Sequence, residues 1–219
     1  MIQEVLYRLN VEDFERFNDV GGDVVHVSVL PLCPLKWFYR LKYPDLVRAQ
    51  QYGGYMILGK LVHFGLQRLL LELQEAGMLD FKILGVEVDL EKTINIERNG
   101  LPAIIHVKGR ADILAERDGE KLVVEIKSAR GDYGIPAQHH MEQLRIYMNL
   151  AGAGKGLLIY FTPDRIAEYP VDKPLSDFEL QKLVQEFFER KAPRYDWECG
   201  SYCPFNVLCP YKKTNSYRR

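Results

Sequence analysis

Asp118-Gly119 sits between two runs of strand-forming residues, and no other stretch constrains the fold so tightly. Before it runs Val107-Lys108-Gly109-Arg110-Ala111-Asp112-Ile113-Leu114; after it runs Lys121-Leu122-Val123-Val124-Glu125-Ile126-Lys127. Both are rich in the residues that fit a pleated, half-buried surface. Asp-Gly between such runs signals a hairpin, because both central residues of a type I′ turn need positive φ. Partners across a two-residue turn are equidistant from it. Asp112 lies six positions before Asp118 and Glu125 six after Gly119, so the register predicts them face to face. Their Cβ atoms are then expected roughly 4.5–5.5 Å apart on one face. Lys127 shares that face, since strand side chains alternate with period two.

Like charges set opposite each other destabilise a sheet unless something cationic lies between them. The expected occupant is a divalent metal with oxygen ligands, leaving Lys127 to steady an anion in a transition state. Hairpin edges also carry charge as protection against aggregation, and on the hairpin alone that solvated reading is the commoner one. Glu125 weighs against it, because it is embedded in the apolar run Leu122-Val123-Val124-Ile126, where a carboxylate needs a partner.

The chain has 219 residues and 47% hydrophobic content, enough for one sizeable core with a small appended module. No apolar run approaches the ~18 residues of a transmembrane helix. The amino terminus lacks a signal-peptide pattern, so the expectation is an intracellular, cytoplasmic protein. A net charge of −1 removes any global basic signature, so nucleic-acid contact must come from local patches. Candidates are Lys36, Arg40 and Lys42, and again Lys212, Lys213, Arg218 and Arg219, although either group fits an ordinary solvated face.

Elsewhere the pattern predicts a helix over 2–17, a short strand over 24–27, and an aromatic-rich helix from Pro34 to about Lys42. Val62, Leu66, Leu69, Leu70 and Leu73 follow a helical period from Gly59 to Ala76. A strand over 83–91 and an Asn99-Gly100 turn lead into a strand of about 103–115. Pro136 is expected to open a helix to about Leu150, followed by a buried strand over 157–161. Ser176-x-x-Glu179 is a capping box for a helix reaching about 191. The order α-β-β-β-α-β indicates an α/β core, a mixed β-sheet flanked by helices. The tail from 193 carries little regular structure.

Four cysteines occur: Cys33, then Cys199, Cys203 and Cys209, the last three within eleven residues. In an intracellular chain, clustered cysteines point to metal ligation before disulfides. Four thiolates suit structural zinc or an iron–sulfur cluster, and the spacing does not choose between them. Unligated buried thiols are the alternative. A short tail containing Pro193, Pro204 and Pro210 has little apolar material and needs a staple.

His140, Gln143 and Tyr147 form one stripe of the 136–150 helix. A mixture of imidazole, amide and phenol fits a groove wall that contacts phosphate oxygens or a catalytic lysine. His63, among apolar neighbours, reads first as a satisfied core histidine, and becomes a ligand candidate only because two carboxylates already call for a metal. Gly54-Tyr55-Met56-Ile57-Leu58-Gly59-Lys60 fits the first seven places of a phosphate-binding loop. Leu61 in the eighth place lacks the hydroxyl for magnesium and no strand precedes it, so no ATP site is expected.

Taken in order, Gly59-x3-His63, Gly109-Arg110-x-Asp112, Glu125-x-Lys127 and Gln143-x3-Tyr147 resemble the motifs of RecB-like nucleases of the PD-(D/E)xK superfamily. With Cys33 before them and Cys199, Cys203 and Cys209 after them, the set further resembles the CRISPR-associated RecB-like exonucleases, over about residues 24–211. The resemblance implies a single nuclease domain over 1–219. Its catalytic core would span about 45–192, and 24–44 with 193–219 would form an iron–sulfur module joining the two ends of the chain.

It further implies manganese or magnesium on His63, Asp112, Glu125 and the Ile126 carbonyl. Lys127 would orient water or stabilise developing charge, and Gln143 and Tyr147 would position the strand and Lys127. The four cysteines would hold a cluster, [4Fe–4S] in preference to [2Fe–2S]. The proline of the superfamily name is absent, since Ala111 stands before Asp112. DNA, single-stranded or with single-stranded ends, is the implied substrate, with 5′→3′ exonuclease action, endonuclease action besides, spacer acquisition and CRISPR integrase partners. Two other readings stand beside it: a DNA-binding scaffold subunit of an integrase complex, and a DNA-repair nuclease with the same chemistry.

Overall fold

The computed structural model describes residues 1–16, 21–189, 193–200 and 203–213. The helices α1 (Ile2–Arg16), α2 (Pro34–Lys42), α3 (Pro44–Gln50) and α4 (Gly54–Glu75) precede most of the sheet, with β1 (Val24–His26) inserted after α1. Then come β2 (Lys82–Arg98), β3 (Leu101–Arg117), β4 (Glu120–Ser128), α5 (Gln138–Ala151), β5 (Lys155–Phe161), β6 (Ile166–Val171) and α6 (Asp177–Glu189). A single 3₁₀ turn, Asp196–Cys199, follows in the tail. The sheet is mixed. β2 and β4 pair antiparallel with β3, β1 pairs parallel with it, and β5 lies parallel to β4 and antiparallel to β6.

Helices cover both faces. On one, Leu144, Ile146 and Met148 of α5, Leu180, Val184 and Phe187 of α6 and Trp37 of α2 pack with Ile105, Val107 and Val123. On the other, Val62, Leu66 and Leu70 of α4 pack on Ile113, Ala115, Leu122, Val124 and Ile126. β4 reads as a near-continuous apolar run because both of its faces are covered. Gly156 lets α5 approach β5 closely, since a Cβ there would lie 2.6 Å from Met148 Sδ.

Several boundaries differ from the sequence expectation. α4 begins at Gly54, so the Gly54–Lys60 stretch is helix and forms no phosphate loop. α2 ends at Lys42 as expected, and Pro44 then opens a further helix, α3, as an N-terminal proline, a position that tolerates a missing N–H. Pro136 follows a cis peptide bond outside the helix, and α5 starts at Gln138 with Ala137 as its N-cap. Strand β6 was not anticipated, because its alternation includes Pro170. Leu69 is exposed and stands off the apolar stripe. The expected helix ends at 17 and 191, and Arg218 and Arg219, lie outside the described residues. The Ser176–Glu179 capping box forms, with Ser176 N–H donating to Glu179 at 2.8 Å and Glu179 N–H to the Ser176 hydroxyl at 3.2 Å.

Candidate active site

The hairpin has the predicted register: Ile113 pairs with Val124 and Arg117 with Glu120. Asp118 and Gly119 have φ of 53° and 79°, as a two-residue type I′ turn requires. The ladder stops one step short of Asp112 and Glu125, however. In place of a cross-strand pair, Asp112 Oδ2 accepts the Ile126 N–H at 2.7 Å. Ala111 packs in the α5-side core and Ile113 in the α4-side core. Residues two apart on a flat strand share a face, so β3 turns its faces over at Asp112, and the carboxylate replaces a backbone partner where the strands diverge.

β3 shares its second edge. β1 takes residues 106–108 and β4 takes 113–117. The interval between them is filled from the side by Tyr147. A Cβ on Gly109 would lie 2.6 Å from the Tyr147 ring and 2.9 Å from Val27, so only glycine permits this approach. Burial drives the Tyr147 phenol well above its usual pKa and the charges of Glu125 and Asp112 add to that, while hydrogen bonds from Gln143 and the Arg110 backbone oppose it.

Glu125 is 2% exposed. Its Oε1 accepts from Lys127 Nζ at 2.7 Å and from Gln143 Nε2 at 2.9 Å, and Lys127 also donates to Gln143 Oε1 at 3.1 Å. Glu125 Oε2 is buried with no hydrogen-bond partner. Burial raises the Glu125 pKa; Lys127 pulls against it and Asp112 adds to it. On α4, His63 Nδ1 lies 3.2 Å from Asp112 Oδ1. Burial works against the imidazolium, but the hydrogen bond and charge of Asp112 outweigh it, so the His63 pKa is raised.

His63, Asp112, Glu125, Lys127, Gln143 and Tyr147 thus belong to one connected group. Among the described residues no three His, Cys, Asp or Glu side chains converge closely enough to hold a metal as they stand. The donor set nonetheless fits a hard divalent cation: an imidazole, two carboxylates, and an orphaned buried oxygen whose desolvation is uncompensated. A groove of about 1280 Å³ opens beside it between α1, α4 and the β2–β3 strands, lined in part by His63, Asp112, Lys60, Lys108 and Arg110. Of the site residues, His63 and Asp112 line this groove, while Glu125, Lys127, Gln143 and Tyr147 lie behind it; His140 belongs to neither set. Its Nδ1 meets the Tyr160 hydroxyl at 2.6 Å, and that hydroxyl also accepts the Ala137 N–H at 3.0 Å.

The four cysteines are all free and together line one small cavity, Cys33 brought there from far upstream of the three in the tail. Cys33 sits just before α2, and burial pushes its thiol up to about 11. Glu198, fully buried, joins the two ends: it accepts from Cys33 N–H at 2.8 Å and Tyr195 N–H at 3.1 Å, and pairs with Lys36 at 3.1 Å. Lys36, expected in a surface patch, is therefore committed to the interior. The donor chemistry, four thiols around one cavity, fits an iron–sulfur cluster or zinc.

Sequence reasoning missed Glu198 and Gln67. Nothing local marks Glu198, whose partners are remote. Gln67 lies one turn from His63 and so shares its helix face, which was a usable signal.

The family model for the PD-(D/E)XK nuclease superfamily matches residues 66–210. Over 217 residues, 98% of this chain and 100% of the relative, the sequence is 36% identical to the CRISPR-associated exonuclease Cas4 of Saccharolobus solfataricus. The crystal structure of SSO0001 is similar with a TM-score of 0.82 at 36% identity, covering 97% of this chain and 98% of that one.

Proposed function

The chain belongs to the CRISPR-associated RecB-like nucleases of the PD-(D/E)XK superfamily, and from that premise we propose a metal-dependent deoxyribonuclease that trims single-stranded DNA 5′→3′ during spacer acquisition. The observation that carries the metal-dependent reading is Glu125: a buried carboxylate beside Asp112 with one oxygen left without a partner. Lys127 meets one oxygen of this carboxylate; the other is buried with no partner, which is costly and calls for a cation.

His63, Asp112, Glu125 and the Ile126 carbonyl would hold the ion. PD-(D/E)XK nucleases use divalent metals such as Mg²⁺ or Mn²⁺, which polarise the phosphoryl group and acidify bound water. The protein's own groups supply the rest. Lys127 Nζ, held between Glu125 and Gln143, orients the attacking water or meets the charge that grows on the phosphoryl oxygens. Gln143 fixes the lysine ammonium by donating to one partner and accepting from the other. Tyr147 excludes water from the break in the sheet edge and keeps Gly109 against α5. The groove beside Asp112 receives the strand, with Lys60, Lys108 and Arg110 along it for phosphates.

The cysteine cavity is proposed to hold an iron–sulfur cluster with a structural role, and the surface around it to meet integrase partners. Protein purified without oxygen should degrade 5′-labelled single-stranded DNA with Mn²⁺ and not with chelator. Equal degradation in chelator would overturn the metal-dependent reading. Digestion of only those strands whose 3′ end is free would overturn the polarity.

A further inference from the structure

The sheet is interrupted on both sides of Asp112. The β2–β3 ladder pairs Val86 with Ile113 and Val88 with Ala111 but skips the intervening step, where Glu87 stands opposite Asp112. Glu87 has φ 51°, and the other described non-glycine residues with positive φ, Asn99 and Asp118, occupy hairpin turns. Glu87 lies within a strand, with no turn to require that conformation. For an L residue the left-handed region is strained, and it persists only where the surroundings over-determine it.

Gln67 provides those surroundings. Its amide nitrogen donates to Glu87 Oε1 at 2.7 Å and to the Asp112 main-chain oxygen at 3.3 Å, clamping both strands at the break. Both hydrogens of Nε2 are thereby used, one for each strand. Without the Glu87 acceptor, the amide loses the bond that fixes its orientation. Turned over, it would set its own oxygen against the Asp112 carbonyl. Gln67 is buried, so an unmade bond there is costly. One turn earlier on α4, His63 holds the carboxylate of the same Asp112.

We infer that Glu87 is a positioning residue for the metal site: it orients the Gln67 amide, which fixes the Asp112 backbone and with it the carboxylate shared by His63 and Ile126. The inference rests on Asp112 being a metal ligand. What Glu87 contributes is an acceptor oxygen; its negative charge faces the groove and is not needed.

Calorimetric titration of the full chain with MnCl₂, alongside melting curves of the metal-free protein, tests this. Glu87→Ala and Gln67→Ala should each weaken Mn²⁺ binding on the order of tenfold, as loss of groups that orient a ligand does. The double variant should be no weaker than either single one. Glu87→Gln keeps the acceptor and should bind Mn²⁺ like the wild type. Metal-free melting should fall by a similar amount in Glu87→Ala and Gln67→Ala, since each unmakes the same buried bond, and should be restored in Glu87→Gln. Equal weakening by Glu87→Gln and Glu87→Ala would show that the charge acts directly and overturn the inference. So would unchanged binding by Glu87→Ala. Asp112→Ala is the control: if it binds Mn²⁺ like the wild type, the metal-site reading itself has failed, whereas loss there with none in Glu87→Ala refutes only the positioning role.

Discussion

The proposed nuclease site and the cysteine cavity are assembled by opposite means. The site draws Asp112, Glu125 and Lys127 from one hairpin, and its geometry follows from register: a two-residue turn, two covered strands and a ladder that opens where the carboxylates lie. The cavity draws Cys33 from before α2 and the other thiols from a tail with one 3₁₀ turn, and no sheet sets their spacing. Side chains join its halves instead: Glu198 to Cys33 and Lys36, Phe205 against Tyr39 at 5.6 Å, and Arg194 to Glu142 at 2.7 Å. A site built on a sheet is rigid before it binds anything, whereas one closed by remote contacts gains most from a ligand that ties its ends.

The two regions meet on α5. Gln143 faces Glu125, while Glu142 binds Arg194 and His139 packs against Trp197 with ring centroids 5.0 Å apart. Damage to the cavity should therefore reach the proposed nuclease site through α5, attenuated.

The largest effect expected is on the site side. Asp112→Ala or Glu125→Ala should lower cleavage by about 10³-fold or more, the scale of losing a metal and its charge stabilisation. Iron content should stay as in the wild type and the chain should stay folded, with some loss of melting temperature from the buried donors left without an acceptor. Near-normal cleavage by either variant in a gel assay would break the site assignment. Lys127→Ala comes next, with a loss of about 10²–10³ in kcat and retained Mn²⁺ binding, since it serves charge that develops in the transition state. Loss of Mn²⁺ in that variant would mean that Lys127 builds the site and does not act in the reaction.

On the cavity side the order reverses. Cys203→Ser should lose iron and lower the melting temperature by roughly 5–10 °C, at about 2–4 °C per kcal/mol. Cleavage should fall by only a few-fold, through α5. Zinc without iron in anaerobically prepared wild type, by elemental analysis, would replace the cluster with a zinc site. An unchanged melting point on iron loss would remove its structural role.

The smallest effect sits at the seam. Burial, with the charge of Lys127 nearby, lowers the His139 pKa to about 4 and that of His140 to about 2, from an ordinary 6.5. Burial keeps the His140 ring neutral, and its Nδ1 lies 2.6 Å from the Tyr160 hydroxyl, which also accepts the Ala137 N–H. Folded-state values below the unfolded ones make the fold bind fewer protons than the unfolded chain. Stability is then full above pH 6.5 and declines as pH falls toward 4 for His139, and further for His140. Glu125 and His63, with raised values, act the opposite way over the same range, so the test is the difference between wild type and His140→Gln. The wild type should lose more melting temperature than His140→Gln between pH 7.5 and 5; an equal or smaller loss would contradict the neutral pair.

How much of this could be read in advance follows the same division. The hairpin register was legible because Asp118-Gly119 and two β-branched runs act locally, and the motif spacing placed His63, Gln143 and Tyr147 on the right helices. The direct pairing of Asp112 with Glu125 was not, because the two strands separate before reaching it and Asp112 turns to the Ile126 N–H. Period-two counting assumes a flat strand, and β3 is not flat there. Nor was Glu198 legible: its partners Cys33 and Lys36 are brought to it only by the complete fold. Strand β6 was hidden by Pro170 within it.

The central claim is that the buried, half-partnered Glu125 and the displaced Asp112 are held in readiness for one cation. Crystals soaked in Mn²⁺ and measured for anomalous scattering test it directly. The account predicts a peak in contact with His63, Asp112 and Glu125, with Glu125 Oε2 now ligated and Lys127 still on Gln143. A well-diffracting Mn²⁺ crystal with no peak there, or a peak held by Glu87, Asp89 and Glu91 across the groove, would contradict it.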